Sequence, residues 1–145
     1  MGYIDKNLMK DEKVVYRTTL HWIVFVVPAI IIILGVYIMS KGGATAWGFV
    51  ILLFGIVLII LSFITFKTSE FGVTDKRILI KVGFIKRNSV EILLSKVEGI
   101  QVNQGVVGRM LDYGTITITG TGGTGAPFKK IKAPLNFRKM AQEQI

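Results

Sequence analysis

Two apolar runs constrain what this chain can fold into. Leu20 to Met39 and Ala46 to Phe66 each hold about twenty residues without a single Asp, Glu, Lys or Arg. A helix of that length reaches across the ~30 Å hydrocarbon core of a bilayer. Only Ser40-Lys41-Gly42-Gly43-Ala44-Thr45 separates the two runs. A soluble domain that was 51% hydrophobic, as this chain is, would spread its apolar residues at periods of 2 or 3.6. Here they are pooled in two blocks. The first reading is a two-helix transmembrane hairpin, with the remaining chemistry in the residues after Phe66.

The organisation expected from this pattern is a cytoplasmic N-terminal segment (1–19), a first transmembrane helix (20–39), an external loop (40–45), a second helix (46–66) and a cytoplasmic domain (67–145). Lys6, Lys10, Lys13 and Arg17 precede the first run, and Lys67, Lys76, Arg77 and Lys81 follow the second. The loop carries only Lys41. Cytoplasmic flanks collect Lys and Arg, so both termini are expected in the cytoplasm of a multi-pass cell-membrane protein. Trp22 and Trp47 stand at the starts of the two runs, where indole rings anchor at the headgroup level. Gly35, Gly48 and Gly55 let two helices approach closely, and Pro28 is a candidate kink. Ala44-Thr45-Ala46 has the look of a signal-peptide cleavage site, but the apolar stretch before it is too long and its leader too acidic. Transport needs polar groups at depth, and neither run offers an ionisable one. His21 falls at the cytoplasmic boundary and reads as an interfacial side chain. The hairpin therefore reads as an anchor.

After Phe66 the pattern turns to short strands. Phe71, Val73, Ile78, Ile80 and Val82 alternate around the turn Thr74-Asp75-Lys76-Arg77. Phe84 to Ile92 and Ile92 to Val102 read as extended. Gly105 to Gly114 is a glycine-bounded connection with room for one helical turn. Thr115 to Thr119 is the clearest strand, with Ile on one face and Thr on the other, and Phe128 to Ala133 is the last. Asn136 is a candidate cap for a C-terminal helix in which Phe137, Met140, Ala141 and Ile145 share a face. Short strands and one amphipathic helix suggest a small barrel or sandwich with the helix over an open end.

Phe71-Gly72-Val73-Thr74-Asp75-Lys76-Arg77, Lys81 to Arg87, Val90 to Ile100 and Gly108 to Ile116 resemble the membrane-flanked bacterial pleckstrin-homology (PH) domains. Asp11-Glu12-Lys13-Val14-Val15-Tyr16 and His21-Trp22 are similar to that family's approach to its first span. The resemblance implies a PH-like barrel of two roughly orthogonal antiparallel sheets capped by a C-terminal α-helix, following the hairpin. It also implies an integral membrane protein without catalytic residues, in a family whose molecular function is poorly defined.

Gly120-Thr121-Gly122-Gly123-Thr124-Gly125 fits G-x-G-x-x-G, and Glu143 lies about twenty residues on. A dinucleotide site needs a helix opening from the last glycine. The extended, proline-containing Ala126 to Ile131 comes next instead, so the motif reads as an inter-strand loop. Catalysis finds no candidates: the single histidine is far from the domain's carboxylates, and no cluster has metal-ligand spacing. The expectation is a non-enzyme with no cofactor and no metal. There is no cysteine, hence no disulfide.

The net charge is +9, which suits nucleic acid or an anionic membrane face. A membrane hairpin makes lipid the simpler partner. Phe84, Tyr113 and Phe128 fit better as core or barrel-end filling than as base-stacking platforms. The candidate anionic-lipid contacts are Lys76, Arg77, Lys86, Arg87, Lys129, Lys130 and Lys132, each cation near a membrane contributing about 1 kcal/mol. Lys76 and Arg77 fall near a strand turn, as do the residues with which eukaryotic PH domains grip phosphoinositides. The same cations are also what a solvated barrel face would carry. The alternative function is structural: a module that assembles with another copy or a second membrane protein through exposed strand edges.

Overall fold

A computed structural model describes residues 2–123 and 125–145. The chain runs α1 (Tyr3–Asn7), β1 (Val14–Thr18), a 3-10 turn (Trp22–Phe25), α2 (Val26–Ser40), α3 (Thr45–Thr68), β2 (Glu70–Thr74), β3 (Arg77–Val82) and β4 (Asn88–Leu93). A second 3-10 turn (Leu94–Lys96) leads to β5 (Val97–Asn103), α4 (Val106–Leu111), β6 (Tyr113–Gly120), β7 (Gly125–Lys132) and α5 (Pro134–Gln144). Residues up to His21, together with Thr68–Ile145, form one compact unit, and Trp22–Lys67 forms a second.

The helical unit contains two helices long and apolar enough to cross a membrane, Trp22–Ser40 and Thr45–Thr68. Gly35, Gly48 and Gly55 bring them together. A Cβ on Gly35 would stand 2.7 Å from the Leu52 backbone nitrogen, and one on Gly48 would stand 2.9 Å from that of Met39. No side chain fits there, so the backbones meet directly. Pro28 lies in the first turn of α2.

The β unit holds two antiparallel sheets, ordered β1-β2-β3-β4 and β5-β6-β7. Phe71, Val73, Ile78 and Ile80 of the first sheet and Ile100, Ile116, Ile118, Phe128 and Ile131 of the second are all buried. The Phe71 and Phe128 rings meet edge-on at 6.2 Å and join the two layers. α5 packs against β1, β2, β5 and β6, with Phe137 and Ala141 fully buried. It starts at Pro134, behind Ala133 in the left-handed conformation, so Asn136 is not the cap. Proline is pre-set for a first helical position.

Leu79 is buried as completely as its neighbours Ile78 and Ile80. Strand alternation turns Leu79 and its cross-strand partner Gly72 to the opposite face. α1 covers that face, with Ile4 over Gly72. Two carboxylates hold α1 in place. Glu70 accepts the backbone N–H groups of Tyr3 (2.8 Å) and Ile4 (3.1 Å), and Asp5 pairs with Arg17.

The hairpin does not precede the β domain; it is inserted within it. β1, from the segment expected to lie apart over 1–19, pairs with β2 across the whole helical unit: Thr18 lies opposite Phe71 and Arg17 opposite Gly72. The strand's continuation then crosses to the second sheet. Lys132 donates its N–H to Thr19 O at 3.0 Å, Leu20 bridges Ile131, and His21 donates to Lys130 O at 2.8 Å. Leu20 and His21 thus belong to the β unit and not to the first apolar helix.

A fragment 67–145 lacks β1 and leaves one edge of β2 and the Ile131 corner bare. Expected on thermal unfolding by circular dichroism is no cooperative transition for that fragment. Residues 1–21 joined to 68–145 through a flexible linker of about eight residues, which spans roughly 16 Å, are expected to unfold cooperatively. A cooperative transition in fragment 67–145 alone would show that β1 is dispensable.

Candidate functional site

The strand register sorts the candidate cations by end. In the first sheet, Glu70 pairs with Lys81 and Val82 with Asn88. The β3–β4 turn therefore lies at the end of the sheet where the chain comes out of α3. Gly83 donates its N–H to Ser69 Oγ at 3.2 Å, one residue from the end of α3. Gly83 has φ +82°, and a Cβ there would stand 2.5 Å from Lys86 O. Only glycine closes this turn without strain, and the closed turn exposes Phe84, Ile85, Lys86 and Arg87. Phe84 is 59% exposed, so it is not barrel filling.

In the second sheet the same logic applies to β7. Gly114 pairs with Ile131 and Ile116 with Phe128, so two lysines face the single Thr115. This is a β-bulge, and Lys130 takes its left-handed kink at φ +59°. Without the bulge, alternation would turn one lysine inward. With it, Phe128 and Ile131 both enter the core, and Lys129 and Lys130 both face outward. Lys132 is exposed beside them.

His21 connects this corner to the first helix, since Trp22 is the next residue. It is buried, its ring stacks 5.2 Å from Tyr113, and Tyr113 is thereby part of the corner rather than a free platform. Burial lowers the imidazole pKa below its ordinary value, against a bond to the Leu111 backbone that raises it. His21 is therefore a packed structural side chain. Lys86, Arg87, Lys129, Lys130 and Lys132 thus gather at the rim of the β unit through which the chain passes to and from the hairpin.

Lys76 and Arg77 do not. They follow β2 at its other end, about 20 Å along the strand from Ser69. Lys76 is exposed, with its ammonium 3.2 Å from Lys10 O. Arg77 is 6% exposed. Its Nε and Nη2 each lie 3.0 Å from a Glu12 oxygen, its Nη1 lies 2.6 Å from Glu91, and Nη2 also donates to Asn7 O. Every nitrogen of the buried guanidinium is engaged, so Arg77 leaves the set of lipid-contact candidates. It acts as a clasp from β3 to β4 and to the segment before β1. Burial pushes the Glu12 pKa up, but Arg77, the Met9 N–H and the Thr74 hydroxyl outweigh that and hold it at about 2. Composition did not reveal this clasp, because an acidic residue before β1 and an arginine in a turn meet only once the strands pair.

The helical turn allowed between Gly105 and Gly114 is α4, but sequence reasoning did not single out its apolar residues. Val106, Val107, Met110 and Leu111 are all exposed in that helix, while Gly108 is buried against Tyr113 O. The spacing of two apolar pairs around a glycine was the available signal. The Gly120–Gly125 motif joins two antiparallel strands, with Thr119 opposite Gly125. No helix opens from it, as the loop reading expects; Thr124 lies outside the described residues. Among the described residues no group of three or more His, Cys, Asp or Glu side chains is placed to hold a metal.

Residues 22–144 match the family model of the bacterial PH domain. No curated protein and no solved structure matches.

The Arg77 clasp has a pH signature. A carboxyl held at about 2 when folded, against 4.5 as its ordinary value, binds fewer protons folded than unfolded between those values. Its stabilisation is present above pH 4.5 and lost as pH falls towards 2. Glu12→Gln is expected to destabilise the chain by about 3–5 kcal/mol at neutral pH, as removal of one buried partner does, and to flatten this part of the acid dependence. Denaturant midpoints across pH 2–7 measure both effects; an unchanged acid profile would show that the pair contributes nothing.

Proposed function

Since the chain belongs to the bacterial PH domain family, we propose that it is a membrane-anchored, non-catalytic binding module whose basic rim meets anionic lipid headgroups at the cytoplasmic face of the cell membrane. The hairpin serves as the anchor. Core helices of soluble proteins are mostly buried, whereas the apolar windows of these two helices are only 11% and 6% buried. Trp22 and Trp47, 53% and 71% exposed near the helix starts, suit interfacial anchoring. The Lys/Arg bias on either side favours cytoplasmic termini. β1 and β2 pair, so the chain leaves and rejoins one sheet, which agrees with an even number of crossings.

The observation that carries the lipid reading is the place that the register gives to four of the candidate cations. Lys86 and Arg87 sit in the turn bonded to Ser69, and Lys129 and Lys130 sit on the bulge bonded to His21. Those are the two places where the β unit joins the hairpin. Cations held close to an anionic leaflet each contribute about 1 kcal/mol. Four of them oriented together amount to roughly a thousand-fold in affinity.

The test is co-sedimentation of the linker-joined β unit with neutral and anionic vesicles across a salt series. Binding is expected only to anionic vesicles and falls steeply with salt. Replacing Lys86, Arg87, Lys129 and Lys130 together by alanine abolishes it, while Lys76→Ala leaves it unchanged. Absence of binding at low ionic strength from a folded β unit would sink the lipid reading. Concentration-dependent self-association under the same conditions would favour the assembly role instead.

A further inference from the structure

We propose that α4 and the β3–β4 turn are two apolar wedges that enter the headgroup–acyl boundary of the bilayer holding the hairpin. This rests on the membrane-anchored reading above and names how the rim would engage lipid. Met110 and Ile85 are each 79% exposed, Val106 78%, Phe84 59% and Val107 53%, and Leu111 is the least exposed of the set. Single exposed apolar side chains are ordinary. Six in two short segments, each near a passage of the chain to or from the hairpin, call for a covering partner.

The seat of α4 explains why its apolar side faces out. Gly108 is a close contact of the helix with the domain, and a Cβ there would stand 2.6 Å from Tyr113 O. Gln104 Nε2 donates to Tyr113 O at 3.1 Å beneath the same seat. The helix therefore meets the domain closely through its backbone at Gly108. The left-handed Asp112 ends it and returns the chain to β6.

The partner is identified by the chemistry around the wedges. Lys129 and Lys130 line a cleft of about 430 Å3 with Val106 and Val107. Arg109 is exposed on α4, and Lys86 and Arg87 follow Ile85. Alternating apolar tips and cations match an anionic bilayer surface, where apolar side chains sink below the headgroups and cations stay among them. Connectivity favours the chain's own membrane. His21, bonded to Lys130 and stacked on Tyr113, is one residue from the first apolar helix.

The chain has no cysteine, so single-cysteine variants report one site each. Full-length Met110→Cys, Ile85→Cys and Lys76→Cys, labelled with a polarity-sensitive fluorophore, would be reconstituted in phosphatidylcholine vesicles with and without phosphatidylglycerol. All three sites are exposed, so folding is not at stake. Labels at 110 and 85 are expected to shift to the blue and be quenched by lipids bearing a nitroxide near the headgroup. The label at 76 is expected to do neither. Quenching at 110 that is equal in both vesicle types would support the wedges while removing the anionic-lipid reading. Quenching only with phosphatidylglycerol would support both. Unquenched labels at 110 and 85 in both vesicle types would overturn the wedges. So would a blue shift without lipid quenching that grows with protein density, which would make a second copy the covering partner.

Discussion

β1 and the three residues that follow it tie the two sheets together, and the β unit depends on that tie. Its residues pair with β2, and its continuation reaches β7 through Thr19, Leu20 and His21. The first sheet thereby gains its fourth strand, and the corner between the sheets gains its hydrogen bonds. A buried strand edge left unpaired would expose or orphan its backbone groups. Because the partner strands lie on either side of the helical insertion in sequence, folding the domain requires the two flanks of the hairpin to meet. Closing so long a loop has an entropic cost that grows only slowly with its length. A compact helical insertion with its own close contacts lowers that cost further.

The same pairing polarises the domain. One end carries the passages to and from the hairpin, the bulge lysines and the exposed apolar tips. The other carries the Glu12–Arg77–Glu91 clasp, which consumes Arg77, beside the exposed Lys10, Lys13 and Lys76. A formal charge of +9 therefore overstates what a partner meets. Arg77 and Arg17 are spent on carboxylates, and Lys76 is turned away from the rim. Charge counts along a chain become charge patterns only after register is set, because adjacent strand residues point to opposite faces.

The N-terminal turn has a matching role on the outer face of the first sheet. Ile4 is 1% exposed. It shields Gly72 and Leu79, and the Glu70 carboxylate and the Asp5–Arg17 pair keep it there. Both faces of the sheet are consequently covered at its centre, while Arg17 of β1 and Glu91 of β4 stay exposed on the outer face. That is why Ile78-Leu79-Ile80 is a continuous apolar run where a one-faced sheet would show strict alternation.

Much of this was legible from residue order. The two apolar helices, the Thr74–Arg77 turn, the Thr115–Thr119 strand, the glycine loop and the amphipathic tail are local patterns, and each stands close to where periodicity placed it. The PH-like fold followed from motifs spread over the same segments. Three features were not legible: β1 as a strand of the domain, the consumption of Arg77, and the gathering of Lys86, Arg87, Lys129 and Lys130 at one rim beside α4. Val14–Thr18 is short and ambiguous until β2 pairs with it. Arg77 looks like a surface cation until Glu12 arrives from beyond the hairpin. Lys129 and Lys130 look like alternating strand residues until a bulge turns both outward. Hydropathy and period are properties of neighbours along the chain, so sequence alone decides them. Strand partners, buried ion pairs and shared ends join residues far apart in sequence, and only the packed pair of sheets decides those.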